Sequence, residues 1–144
     1  MTAWRPLFAV VAFVLVALAI SVLANQLPGG PHAALAMPAE DVAESFLRSM
    51  ATHRWDAASQ TLSRDLREQT DAATLQALMQ AFEDHYGRLD QALGEGATRQ
   101  GDQATAQVTL TTEQGERLDA QFSLQVEDGG WRLTSLEPLR RLAQ

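Results

Sequence analysis

Two runs of alternating apolar and polar residues, within residues 103–126, constrain the fold of this chain most. Successive side chains on a strand point to opposite faces of a sheet, so apolar residues at every second position share one face. A short polar link around Gly115 separates the two runs, which predicts a hairpin with one buried and one solvated face. The residues predicted to be buried are Ala104, Ala106, Val108, Leu110, Leu118, Ala120, Phe122, Leu124 and Val126. The rest of the chain must supply a cover for this apolar face.

The residues that precede the hairpin follow a helical period. Residues 38–53 carry acids near their start, as helix N-termini commonly do, and a short helix is predicted over residues 54–62. The polar residues 63–69 predict a turn of helix or a loop. Residues 70–86 form the longest amphipathic pattern, and Gly87 is a natural terminator. We expect this longest helix to lie on the apolar face of the hairpin; its stripe consists of Leu75, Leu78, Met79, Phe82 and Tyr86.

A strand is predicted before the hairpin, because the period changes to two after Arg88. Its pattern places Leu89, Gln91 and Leu93 on one face. Two glycines, Gly94 and Gly96, then flank a single glutamate, which predicts a bulge that bends the strand.

A fourth strand is predicted after the turn formed by residues 128–130, with Trp131 and Leu133 on its buried side. Pro138 is expected to end this strand, and residues 140–144 are expected to form a tail without order. The predicted fold class is therefore α+β: three helical segments followed by a curved, four-stranded antiparallel sheet.

Residues 7–24 are apolar except for one serine, and Arg5 precedes them. Their number favours an uncleaved transmembrane helix, with the N-terminus in the cytoplasm and the rest of the chain outside. Cleavage is the alternative, because small residues at 22–24 and 34–36 offer signal-peptidase sites. In that case the domain would be secreted. Residues 25–37 contain two prolines and two glycines and are predicted to be an extended linker.

Charge and composition exclude several classes of partner and site. The net charge is -7, and Arg5 is the only charged side chain before residue 38, so the following domain is one unit more negative. An acidic surface repels nucleic acid and anionic lipid headgroups, so neither is a predicted partner. The chain has no cysteine, and its acids match no calcium loop. We predict no metal and no cofactor.

Three stretches carry a resemblance to a known superfamily. They read AEDVAESFLRSMATHRWDAASQTLS, HYGRLDQ and DGGWRLTSLEP. In this order and spacing they resemble the nuclear transport factor 2-like superfamily, and more narrowly its small exported bacterial members without an assigned activity. The resemblance implies a cone-shaped, cystatin-like α+β barrel over residues 38–139. Together with the predicted anchor and linker, the likeness to exported bacterial members leads us to expect a location at the bacterial inner membrane, with the domain in the periplasm. It also implies a pocket on the concave side of the sheet, where some members catalyse isomerase, dehydratase or cyclase reactions and others bind ligands.

The cluster Asp84, His85 and Tyr86, at the end of the longest helix, contains the candidate acid and base groups. Adjacent residues on a helix point about 100° apart, so all three cannot converge on one substrate. The alternative is that Tyr86 packs at a rim, His85 lies at the helix C-terminus, and Asp84 pairs with Arg88. The residues predicted to line a pocket are Trp55, Phe82, Tyr86, Phe122 and Trp131, although tryptophans at such spacing more often belong to a core.

The leading functional hypothesis is a membrane-anchored, extracytoplasmic binding or protein-interaction module without catalytic activity. The alternatives are an isomerase- or dehydratase-type enzyme that uses Asp84, His85 and Tyr86, and a carrier of a hydrophobic ligand. Because uncharged polar sheet faces suit pairing, we expect a homodimer or an envelope-protein partner at the polar face of the hairpin. The residues of that face are Gln103, Thr105, Gln107, Thr109 and Gln121.

Overall fold

The computed structural model describes residues 37–144. The predicted anchor at residues 7–24 and all but the last residue of the predicted linker lie outside the described residues. No helix within residues 37–144 has both the length and the apolar character needed to cross a membrane. The elements in chain order are α1 Ala39–Ala51, α2 Trp55–Gln60, α3 Arg64–Glu68, α4 Ala72–Tyr86, β1 Leu89–Gln100, β2 Gln103–Thr112, β3 Arg117–Glu127, β4 Gly130–Leu133 and α5 Glu137–Leu142. The four strands form one antiparallel sheet in the order β1-β2-β3-β4, which confirms the predicted α+β order.

The hairpin of β2 and β3 has the predicted faces. Ala106 pairs with Phe122, and Val108 pairs with Ala120, so the apolar residues of both strands share the inner face. All four of these side chains are buried. Gly115 has a φ of 84° in the connecting loop, a conformation that favours glycine. The period of two was therefore sufficient to predict both the hairpin and its buried side.

Helix α1, and not the longer α4, lies against the inner face of the sheet. Phe46, Leu47 and Met50 have no exposed surface, and the Phe46 ring meets Phe122 edge-on at a centroid distance of 6.3 Å. Helix α4 packs mainly against α1, α2 and α5. The prediction that the longest helix covers the hairpin was wrong. The physical reason is that α1 presents six buried residues to the fold, whereas α4 presents three.

Strand β1 contains two register shifts, one of which the sequence predicted. The shift between Gly94 and Gly96 confirms the predicted bulge, while a second shift lies between Leu89 and Gln91. Because of the second shift, Leu89 is buried at 8% exposure and Leu93 lies on the other face at 47% exposure. The prediction that these two leucines share a face was therefore wrong. A one-residue bulge reverses which face the following side chains occupy.

The C-terminal segment closes the fold instead of forming a tail. On the free side of β4, Leu133 donates its backbone N–H to the Thr61 carbonyl at 2.8 Å, and Ser63 donates to the Leu133 carbonyl at 2.7 Å. Pro138 lies in the first turn of α5 and does not end a strand, a position that suits proline. Leu139 is 1% exposed. The predicted disordered tail at residues 140–144 was wrong because the buried leucine fixes α5, which extends to Leu142.

Candidate functional site

The residues predicted to line a pocket lie in separate places. Phe82 and Phe122 have no exposed surface, and Trp131 is 4% exposed. Trp55 is partly exposed and stacks on His53, while Tyr86 packs on Phe82 with the ring centroids 5.2 Å apart. The three surface depressions described below are lined by other residues. The structure therefore does not gather these five aromatic residues around one of those depressions.

The candidate acid and base residues at the end of α4 point in different directions. Asp84 and His85 are exposed, and Tyr86 is partly buried. The Asp84 carboxylate accepts a hydrogen bond from Gln80 Nε2 at 2.8 Å, in place of the predicted pairing with Arg88. The His85 ring contacts the edge of Tyr86 at a centroid distance of 4.5 Å. The arrangement is that of the outer end of a helix, where two of the three side chains face solvent.

The side of the sheet that faces away from α1 is called the outer face here. The strand register aligns its side chains in rows across three strands: Gln100 lies beside Gln103 and Gln125 in one row, and Thr98 lies beside Thr105 and Ser123 in the next. Leu93 lies beside Thr109, whose hydroxyl donates to Asp119 Oδ1 at 3.2 Å. The outer face includes Leu93, Thr98, Gln100, Gln103, Thr105, Gln107, Thr109, Asp119, Gln121, Ser123 and Gln125.

Two shallow depressions lie on the outer face. One has a volume of about 410 Å³ and includes Gln103 and Thr105 in its lining. The other, of about 440 Å³, includes Gln107, Thr109 and Gln121. The five polar residues singled out from the sequence thus all line these two depressions. The alternating pattern could not add Thr98 or Gln100, because their face depends on the bulges in β1.

A third depression, called the arginine cleft here, was not predicted from the sequence. It has a volume of about 550 Å³ and lies between α1, the short helices α2 and α3, and the turn from β3 to β4. Its charged lining residues come from α3, from β4, from the last residue of β3 and from the turn that follows it. They are Arg64, Arg67, Glu127, Asp128 and Arg132. No spacing in the sequence signals this convergence, because residues 64 and 132 meet only through the pairing of β4 with residues 61–63.

Glu127 has partners for both of its carboxylate oxygens. The backbone N–H of Arg64 donates to Oε1 at 3.0 Å, and Gln125 Nε2 donates to Oε2 at 2.7 Å. These two hydrogen bonds, the Arg64 one first, hold the pKa of Glu127 below its usual value, with smaller contributions from the charges of Arg64 and Arg132. Glu127 is therefore an ionised residue that holds the start of α3 against the sheet.

The arginines of the cleft keep unused hydrogen-bond donors. Arg67 Nη2 donates to the Leu62 carbonyl at 3.2 Å, and Arg132 Nη1 donates to the Trp131 carbonyl at 2.9 Å. Arg64 Nη2 lies 4.0 Å from an Asp128 oxygen, in a pair whose side chains are 72% and 81% exposed. A guanidinium carries five N–H donors, so each of the three has further donors to offer. Within residues 37–144, no three His, Asp or Glu side chains are placed to hold a metal ion.

Comparisons with known proteins show the fold. Neither a protein-family model nor a curated protein sequence matches the chain. A SEC-C motif containing protein from Rhodopseudomonas palustris is similar in structure at 15% identity and a TM-score of 0.51, over 69% of this chain and 79% of that one. A protein from Campylobacter jejuni, named as a nuclear transport factor 2-like transpeptidase, is similar at 15% identity and a TM-score of 0.52, over 67% of this chain and 96% of that one.

An uncharacterised cystatin fold protein from Novosphingobium aromaticivorans is also similar, at 12% identity and a TM-score of 0.42, over 69% of this chain and 99% of that one. These identities are too low to carry over an activity. The strand order, the helices that precede the sheet and the Campylobacter jejuni neighbour agree on one architecture. The chain has the nuclear transport factor 2-like, cone-shaped α+β fold that its three sequence stretches predicted.

Proposed function

We propose that this chain is a non-catalytic interaction module, anchored in a bacterial inner membrane by residues 7–24, and that the outer face of its sheet binds a second copy of the chain. The observation that carries this proposal is the position of α1. Its side chains Phe46, Leu47 and Met50 are fully buried against the inner face, where the fold would otherwise hold a ligand. The cone is filled by the protein itself, so the outer face becomes the binding surface.

The chemistry of the outer face suits a second copy. The domain is strongly acidic, so two copies repel each other least where charged side chains are fewest. Two rows across β1, β2 and β3 consist of amides and hydroxyls, namely Gln100, Gln103 and Gln125 in one and Thr98, Thr105 and Ser123 in the other. Each of these groups both donates and accepts hydrogen bonds. Asp119, beside Thr109, is an acid on the same face. Two identical faces of this kind can satisfy each other, whereas two identical charged faces cannot.

Leu93 supplies an apolar contact within this polar surface. Its side chain is 47% exposed and lies beside Thr109. In a paired face this side chain would add apolar contact area to the polar rows. A membrane anchor would also favour pairing, because tethering two domains to one surface raises their effective concentration.

Sedimentation velocity on a fragment of residues 37–144, which forms a compact unit with its own core, tests the pairing. We expect a monomer–dimer equilibrium that shifts toward dimer as concentration rises. Gln121→Arg places a charge in the middle row of both faces and should weaken the dimer at least about tenfold, because facing like charges cost several kcal/mol. Gln76→Arg adds the same charge on exposed α4 and should leave the dimer intact.

Two results would contradict the proposal. One is a wild-type fragment that stays monomeric at every concentration, which would leave a different envelope protein as the partner. The other is a Gln121→Arg variant that dimerises as well as the wild type. Equal melting temperatures of the two variants would show that neither charge disturbs the fold.

A further inference from the structure

The arginine cleft concentrates positive charge in an acidic protein. Residues 38–144 contain ten arginines and eighteen acids, yet three arginines and only two acids line this depression. The surplus of one positive charge is therefore local to the cleft. The composition of the domain predicts a negative charge at any place on its surface. The positive charge of the cleft therefore points to a binding role.

The hydrogen bonds in the cleft leave more donors than acceptors unused. Both oxygens of Glu127 already accept hydrogen bonds from within the protein. Asp128 is 81% exposed at its side chain and reaches Arg64 only at 4.0 Å, an arrangement that contributes little stability. The three guanidiniums retain N–H groups beyond the single carbonyl or carboxylate that each contacts. The cleft can therefore still bind a negatively charged group that accepts hydrogen bonds.

The other lining residues of the cleft indicate which further groups the ligand contains. Val42 and Ala57 supply apolar surface, and Ser45 and Ser49 present hydroxyls one turn apart on α1. The volume of about 550 Å³ falls in the range of small-molecule sites, about 300–1,000 Å³. A bare inorganic ion would leave most of this space and its apolar wall unused.

We propose that the arginine cleft binds a monovalent organic carboxylate, whose carboxyl group lies against Arg64, Arg67 and Arg132 and whose short apolar portion lies along Val42 and Ala57. Guanidinium groups bind carboxylates through paired N–H···O bonds. One surplus positive charge matches one carboxylate, whereas phosphate at neutral pH carries more than one negative charge beside Glu127 and Asp128. The cleft adjoins the outer face, since Arg132 pairs with Gln125, but its ligand binding does not require two copies of the chain to pair.

An NMR titration of the full chain in a neutral detergent tests this site. The probes are butyrate, an N-acetylated apolar tripeptide with a free carboxyl terminus, the same tripeptide with an amidated terminus, and inorganic phosphate. We expect saturable shifts of the Ser45 and Arg64 backbone amides with butyrate or the free-carboxyl peptide, and none with the amidated peptide. Tighter binding of the peptide would identify a protein terminus as the source of the carboxylate, and equal or tighter binding of butyrate would identify a free small molecule.

The double variant Arg64→Gln/Arg67→Gln should weaken carboxylate binding at least about tenfold, because it removes charge-assisted hydrogen bonds. Arg140→Gln/Arg141→Gln removes the same charge from exposed α5 and should bind as the wild type does. If the cleft variant fails to fold, Ser49→Glu adds a negative charge to the cleft and should abolish binding. Absence of saturation with either carboxylate, equal affinity of the cleft and control variants, or tighter binding of phosphate than of butyrate would overturn the proposal.

Discussion

The contact between Phe46 and Phe122 tests whether α1 is the helix that fills the cone. Both side chains have no exposed surface, and their rings meet at 6.3 Å with an angle of 67° between the planes. Aromatic pairs in this edge-to-face arrangement are worth about 0.5–1.5 kcal/mol beyond the area they bury. If α1 lies on the inner face, the two residues must be energetically coupled by about that amount.

Phe82 provides the comparison, since it is equally buried but lies on α4. Its ring contacts Tyr86, and α4 joins the fold mainly through other helices. Substitutions without shared contacts add within about 0.3–0.5 kcal/mol. We therefore expect a double-mutant cycle between Phe82 and Phe122 to be additive within that margin, whereas the cycle between Phe46 and Phe122 is not.

The measurement is urea denaturation of Phe46→Leu, Phe82→Leu and Phe122→Leu with the corresponding doubles. Leucine keeps most of the apolar volume, so each single change should cost about 1–3 kcal/mol and leave a folded protein. Equal slopes of unfolding free energy against urea would show that the denatured states are comparable. A coupling between Phe82 and Phe122 as large as that between Phe46 and Phe122 would refute the assignment of α1 to the inner face.

Two further predictions concern the backbone of β1 and the start of α4. Gly94→Ala would place a Cβ 2.8 Å from the Glu40 carbonyl oxygen, so thermal and urea unfolding should show a loss of about 1–3 kcal/mol. Gln91→Ala on the exposed side of the same strand should change stability by less than about 0.5 kcal/mol, and equal losses in both variants would contradict the close approach of α1. The Asp71 side chain caps α4, and its hydrogen bonds to Thr74 lower the pKa of Asp71 from 3.8. The stability that this carboxylate contributes is therefore fully present above pH 3.8. It is lost as the pH falls through the lower pKa of the folded state. Asp71→Ala should therefore lower the melting temperature at pH 7 and have no effect at a pH well below the folded-state value; a pH-independent difference would contradict the cap.

The sequence predicted those parts of the fold that depend on neighbours along the chain. The alternation over residues 103–126 identified the hairpin because a period of two leaves only one side of a strand apolar. Gly94 and Gly96 predicted a bulge because glycine weakens the interior of a strand and often marks a bulge there.

The parts that failed depend on contacts between distant residues. An apolar stripe shows which side of a helix is buried but not what covers it, so length alone predicts α4 and not α1 as the cover of the sheet. The shift between Leu89 and Gln91 has no glycine to mark it, and it turns Leu93 outward. The position of Leu139 against the core also could not be predicted, because it depends on where β4 ends.

The same distinction, between neighbours along the chain and contacts between distant residues, applies to the candidate sites. The five polar residues of β2 and β3 on the outer face were predictable because they alternate with core residues. The arginine cleft was not, since its residues come from α3 and β4, which meet only after residues 61–63 pair with Leu133. A site assembled by such a contact leaves no spacing in the sequence, and only the structure brings its charges together.

The filled interior links these observations to the proposed role. In a cone whose inner face holds a ligand, the outer face can remain a solvated surface with ordinary charges. Here α1 occupies the inner face, and the close approach of Glu40 to Gly94 fixes it there, while the Glu44 carboxylate accepts the Gly94 backbone N–H at 3.0 Å. With that position fixed, the proposed binding uses surfaces outside the cone. The amide and hydroxyl rows of the outer face and the positively charged cleft both differ in chemistry from the acidic domain around them.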